Sequence, residues 1–292
     1  MQIGIFAPLS NPFATPDYVT ALGRVSEARG FHSIWLGEHA LLFDQYESRY
    51  PYAADGRIPL RSGTGLLELH TALSFLAAVT SRIRLATGIC LVPQRNPVYT
   101  AQEIATIDWL SRGRVDFGVG IGWLREEFEA LDVPWERRAA RTREYLEVIK
   151  RLWCDELSQH QGEFYQLPPA RQFPKPVQKP HPPIHFGGES EAALRRVADL
   201  GQGWHPFNIE PEELRAGVSR LESLLAERGR DRAEIQVSVC AYMRPLDLDQ
   251  VKRYRDAGAD QVTTLAAAAN PEKLQQRLDQ LAEELVEPAR GL

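Results

Sequence analysis

The amino-acid sequence predicts an α/β fold of the (β/α)8 type, a TIM barrel. Eight short apolar segments alternate with helical runs along the 292 residues. No linker long enough to separate two domains interrupts them, so 1–292 reads as one domain. The strand-like segments also deliver polar residues or glycines to their C-terminal ends, the edge at which barrel enzymes work.

Ile3 to Ala7 is the first strand, an alternating run ended by Pro8. A helix follows from Pro16 and Asp17 to about Arg29, with Gly30 closing it. Ser33 to Gly37 is a second strand, short and apolar, that ends in the polar pair Glu38 and His39. From about Ala40 to Gly65 the chain is irregular, with Phe43, Tyr46, Tyr50 and Tyr52 and breaks at Pro51, Gly56 and Pro59. A loop of that length inside a compact domain is a lid or binding loop, or else a disordered excursion. Leu66 to Thr80 has apolar residues at helical spacing, Ile83 to Val92 is the third strand, and Pro93 stops it. The next helix runs from about Pro97 to Leu110.

Gly113 to Phe128, GRVDFGVGIGWLREEF, packs a turn, a buried strand, a glycine-spaced exit and a helix start into one βα unit. Val115, Phe117 and Val119 suit a strand of a parallel sheet covered on both faces. Gly118, Gly120 and Gly122 fall at every second position, which predicts a strand end with one bare face, open to something flat or bulky. Glu126, Glu127 and Glu129 follow at the helix start, where carboxylates suit the positive end of the helix dipole; capping competes with catalysis as their role. The spacing is GxGxG, unlike the GxGxxG of a dinucleotide-binding turn. Arg137, Arg138 and Arg141 stand about where that motif needs an acid.

A helix from Arg137 to Trp153 leads to a proline-rich stretch, Asp155 to Pro183, read as an irregular insertion between strands four and five with a short hairpin near Gly162. Strand five, Ile184 to Phe186, meets Gly187, Gly188, Glu189 and Ser190 before a helix through Leu200. Gly203 to Phe207, Ile235 to Met243 and Gln261 to Leu265 are the last strands. Their helices are Pro211 to Arg228, Asp249 to Ala257 and Pro271 to Val286.

With 43% hydrophobic and 25% charged residues the composition is that of a globular protein. A net charge of -5, with Arg and Glu interspersed, argues against a nucleic-acid surface. The N-terminus, MQIGIFAPL, has no basic leader, and no run approaches a membrane span. Cys90, Cys154 and Cys240 are far apart and lack metal-ligand spacing, which fits a reducing cytoplasm. His181 and His185 are separated by Pro182 and Pro183, which forbid the helix that would align them, so no metal site is expected.

Four stretches carry a family resemblance: GFHSIWLGEH, SRIRLATGICLVPQRNP, LSRGRVDFGVGIGWLREEFEAL and PKPVQKPHPPIHFGGESEAALRRVADLGQGW. Along nearly its whole length the chain resembles the bacterial luciferase-like flavin and deazaflavin oxidoreductases, most of all the branch that uses coenzyme F-420, a 5-deazaflavin. The resemblance implies a cofactor ring against Thr87, Gly88 and Ile89, with Gly120 and Gly122 allowing close approach and a cis peptide between Gly88 and Ile89. It implies a phosphate at Gly187, Gly188, Glu189 and Ser190, where a helix N-terminus suits an anion. His39 becomes the proton partner, since a free histidine titrates near pH 6.5, with Glu38 beside it as modulator. Sugar-phosphate dehydrogenases of the superfamily have a carboxylate where this chain has Trp123. An aromatic wall of Trp123, Tyr46, Tyr50 and Tyr52 points instead to a small apolar or aromatic substrate. The implied reaction is hydride transfer with F-420. The alternatives are an FMN-dependent monooxygenase supplied by a separate flavin reductase, and a non-catalytic flavin-binding barrel. A homodimer is implied by the same analogy.

Overall fold

A computed structural model describes residues 1–60 and 63–292; positions 61 and 62, inside the expected loop, lie outside the described residues. In chain order β1 (Gln2–Phe6) leads through α1 (Pro16–Ala28) to β2 (Ser33–Leu36), and the long loop leads through α2 (Leu69–Val79) to β3 (Arg84–Thr87) and β4 (Cys90–Leu91). Then come α3 (Pro97–Ser111), β5 (Val115–Gly120), α4 (Arg125–Ala130) and α5 (Arg138–Cys154). The insertion forms an antiparallel hairpin, β6 (Ser158–Gln161) and β7 (Gln166–Ala170), about the expected turn. The barrel resumes with β8 (Ile184–Gly187), α6 (Glu191–Leu200), β9 (Gly203–His205), α7 (Pro211–Ala226), β10 (Gln236–Tyr242), α8 (Leu248–Asp256), β11 (Gln261–Leu265) and α9 (Pro271–Leu281).

Parallel pairing runs β3-β2-β1-β11-β10-β9-β8-β5-β4, and β3 also pairs with β5, which closes the circle. The sequence segment Ile83 to Val92 is one barrel strand in two pieces. β3 bonds to β2 and β5, the chain breaks register at a cis Gly88–Ile89 peptide, and β4 continues along β5. The result is the closed eight-stranded TIM barrel that the alternation predicted.

Strands buried on both faces explain the apolar runs: every residue of β2 and β5 is buried. The barrel axis is not wholly apolar. Arg84 binds Asp116 at 2.6–2.7 Å, and Trp35 stacks on His205 with ring centroids 4.1 Å apart. Burial works against ionisation of Asp116, but the nearby His185, at 3.7 Å, and the bonds from Arg84 outweigh it and hold the carboxyl at about 2. Side-chain caps start the outer helices, with Thr15 on α1, Asn96 on α3, Ser190 on α6 and Asn270 on α9. The insertion returns along the barrel wall, where Gln178 donates to Asp108 Oδ1 and the Val115 carbonyl, both at 2.7 Å.

Candidate active site

The C-terminal ends of the strands surround a cavity of about 1160 Å³ with a largely apolar lining. His39, just beyond β2, stands at its edge. Its Nδ1 lies 3.1 Å from Oε2 of Glu127, and its Nε2 accepts the indole N–H of Trp123 at 3.3 Å. Indole can only donate, so the arrangement fixes the tautomer: Nδ1 carries the proton and Nε2 is the acceptor. Glu127, in α4, is fully buried and also accepts from the Leu41 amide at 3.1 Å and Gln94 Nε2 at 3.2 Å. Burial pushes its pKa up, yet these bonds, led by His39, prevail and hold it below the ordinary carboxylate range. An ionised carboxylate therefore orients the imidazole through Nδ1.

Glu38 is engaged differently. Its carboxylate pairs with Arg95 through Nε at 2.6 Å and through Nη2, and it accepts the Leu91 amide at 2.5 Å. The same Arg95 reaches Glu68 at 2.7 Å. Glu38 thereby ties the end of β2 to β4 and is not in contact with the His39 ring nitrogens.

The bare glycine face expected at the end of β5 is occupied. A Cβ at Gly118 would stand 1.9 Å from the Thr87 carbonyl oxygen. One at Gly120 would stand 2.0 Å from Ile89 Cδ1, and one at Gly187 would stand 2.8 Å from the same atom. The glycines receive the bulge between β3 and β4, with Ile89 wedged over Gly120 and Gly187. Gly88 and Ile89 line the cavity, and so do Gly120 and Gly187 beneath the Ile89 side chain. Thr87 does not: it is fully buried and its Oγ1 donates to the Gly118 carbonyl at 2.6 Å. Gly122, at φ +79, turns the chain against Phe128 and lines the cavity beside Trp123.

Across the mouth, Gly187 and Gly188 lead into α6, with Gly188 at φ +94 and Ser190 capping the Ala193 amide. Arg196, one turn into α6, also lines the cavity. Its guanidinium has no carboxylate partner among the described residues, and burial, then Arg143 and Arg138, lowers its pKa from the ordinary value. The Glu189 side chain turns to the Phe207 amide, which donates to Oε1 at 2.8 Å. Burial, the largest influence, pushes this carboxyl up to about 7.

A chain of aromatic contacts joins the two sides. Centroid distances are 5.2 Å for Trp123–Tyr50, 5.5 Å for Tyr50–Tyr52, 4.8 Å for Tyr52–Phe207 and 4.5 Å for Phe207–Tyr242. Tyr46 stands outside this wall. It packs on Trp123 at 5.8 Å under Arg57 and accepts the Ile58 amide, so it braces the loop rather than lining the cavity.

Residues 1–291 match the family model of the luciferase-like monooxygenases. The chain belongs to the luciferase-like monooxygenase family. An uncharacterized protein of Mycobacterium tuberculosis is 33% identical over 265 residues, 90% of each chain. The FMNH2-dependent dimethylsulfone monooxygenase of Pseudomonas putida is 29% identical over 241 residues, 81% of this chain and 60% of that one. Among solved structures, the coenzyme F420-dependent tetrahydromethanopterin reductase from Methanopyrus kandleri superposes with a TM-score of 0.76 over 98% of each chain at 19% identity, a likeness of fold. A relative in this comparison, the dimethylsulfone enzyme, is FMNH2-dependent, and a protein of the same fold, the tetrahydromethanopterin reductase, is F420-dependent.

In this luciferase-like chain four residues have roles at the mouth that the sequence alone does not reveal. Glu127 reads there as one of several acids at a helix start, capping or catalytic, with no sign that its Oε2 faces a histidine 88 positions away. The only signal Arg196 left was the arginine pair Arg195 and Arg196 about two turns after the glycine pair. Phe207 and Tyr242 had none beyond their places at strand ends.

Proposed function

We propose that this luciferase-like protein transfers a hydride between a deazaflavin, coenzyme F-420, and a small organic substrate carried against the aromatic wall. The observation that carries the reading is the His39–Glu127 pair at the cavity edge. Oxidising an alcohol, or reducing a carbonyl, moves a proton at oxygen as the hydride moves at carbon. Nε2 of His39, the acceptor nitrogen with an ionised carboxylate behind the other, takes and returns that proton when the substrate hydroxyl replaces the Trp123 indole as its partner. When bound, the deazaflavin supplies a carbon centre that gives or takes hydride.

The residues fit such a group. Gly88 and Ile89 provide an apolar wall for a flat ring, and the cavity has room for ring and substrate together. The N-terminus of α6 and the unpaired Arg196 suit its phosphate, with Gly188 keeping the approach clear. Trp123, Tyr50 and Tyr52 would hold the substrate, and Glu38 would fix the segment that bears the ring wall.

A second reading, an FMN-dependent monooxygenase fed by a flavin reductase, is favoured by the 29% identity to the dimethylsulfone enzyme. Fluorescence titration with oxidised F-420 and with FMN separates the two. The proposal expects F-420 to bind at least about tenfold more tightly, roughly 1.4 kcal/mol. Preference for FMN, with oxygen consumed once reductase is added, establishes the second reading.

A further inference from the structure

Two carboxylates line the mouth cavity among its described residues, Glu38 and Glu189. Arg95 neutralises Glu38. Glu189 accepts from the Phe207 amide, and among the described residues no Lys, Arg or His stands within ion-pairing distance of it. Arg196, one turn into the helix that follows, is not paired with it. Glu189 also lies along the aromatic wall, beside Phe207 and near Tyr52, whose phenol is raised by burial and then by the charge of Glu189. An unpaired carboxylate beside a run of rings is an incomplete arrangement. The ring faces carry the negative end of the aromatic quadrupole, and their tilted contacts, 53° for Tyr52–Phe207 and 42° for Phe207–Tyr242, keep those faces from pairing off flat against each other. Both elements favour the same missing partner, a positive charge of low hydration.

The geometry points to a substrate that bears a cationic nitrogen, an N-alkylated aromatic or a quaternary ammonium, seated on Tyr50, Tyr52, Phe207 and Tyr242 with Glu189 as its counter-charge. This deepens the oxidoreductase reading by giving the substrate at the same mouth a chemical class. The aromatic wall leads from this cation seat to Trp123 and His39, so the nitrogen anchors one end of the substrate while the reacting group is presented at the other. A neutral hydrocarbon of equal shape would fill the rings and leave Glu189 without its partner, which sets the expected discrimination.

The test titrates cofactor-free protein at pH 8.5, where the Glu189 carboxyl is ionised, by tryptophan fluorescence and calorimetry, with phenyltrimethylammonium and its neutral isostere tert-butylbenzene. The cation is expected to bind at least tenfold more tightly. In Glu189→Gln, which keeps an acceptor for the Phe207 amide, the ratio should fall below threefold. Tyr52→Leu should weaken the cation more than the isostere. Equal binding of the two probes to the wild-type protein overturns the inference, as does a preference that survives Glu189→Gln. F-420 and FMN titrated into the same sample score the oxidoreductase reading separately. Cofactor binding without cation preference sinks this inference alone; cation preference without binding of either cofactor sinks the cofactor reading and leaves the cation seat standing.

Discussion

Glu127 and His39 are 88 residues apart in the chain and 3.1 Å apart at Oε2 and Nδ1, a pairing that presents the other imidazole nitrogen, Nε2, as an acceptor at the cavity edge. The barrel makes the pair by setting α4 beside the end of β2, and it spends the remaining lone pairs of Glu127 on Leu41 and Gln94.

If His39 exchanges the substrate proton, His39→Asn lowers turnover by roughly a hundredfold or more, as expected for lost general acid–base catalysis, and changes cofactor affinity far less. Normal turnover makes His39 structural.

Glu127 and Glu189 should have opposite effects on stability as pH changes. The folded pKa of Glu127 lies below the unfolded value of 4.5, so its contribution is present above that value and is lost as pH falls through the folded one. Glu189 is raised from 4.5 to about 7, so the native state holds its proton longer and stability is lost as pH rises from about 4.5 to 7. Urea denaturation should therefore find Glu127→Gln destabilised most at neutral pH, whereas Glu189→Gln gains relative to wild type at pH 8 and not at pH 4. The same sign of change in both variants at pH 8 contradicts the assignment.

For the anion corner, Gly188→Val is expected to reduce cofactor affinity more than tenfold, since a side chain enters the approach at φ +94. Arg196→Gln should weaken FMN but leave riboflavin, which lacks the phosphate, within about twofold. Affinities within twofold of wild type for every ligand place the phosphate elsewhere.

Gly118→Ala should be worse tolerated than Gly120→Ala. At 118 the new methyl meets backbone, the Thr87 carbonyl, at 1.9 Å, whereas at 120 it meets the end of a side chain, Ile89 Cδ1, at 2.0 Å, which can rotate away. Overpacking of the second kind costs about 1–3 kcal/mol. Thermal melts that rank the two in reverse order refute the packing account.

The barrel was legible because its strands are short, apolar and bounded by Pro or Gly, signals that need no knowledge of partners. The mouth was legible in so far as strand ends predict it, which is how Glu38, His39 and the glycine pair at Gly187 came to notice. Pattern reading fails where a residue's meaning depends on something distant. Gly118 and Gly120 look bare until the β3–β4 bulge is folded onto them, and Glu127 looks like a capping acid until His39 arrives beside it. Tyr46 shares a loop with Tyr50 and Tyr52 but faces its other side, and a stretch without periodicity gives no means of telling the sides apart.

The Ile89 wedge also constrains descent. Gly120 and Gly187 sit on neighbouring strands and meet the same methyl group, so a larger residue at either position requires Ile89 to turn aside or give way to a smaller residue. Lineages diverging from this chain should change the three positions as a set, and a homologue that kept Ile89 while gaining a side chain at Gly120 would have had to turn the Ile89 side chain, and with it the wall on which a ring is proposed to rest.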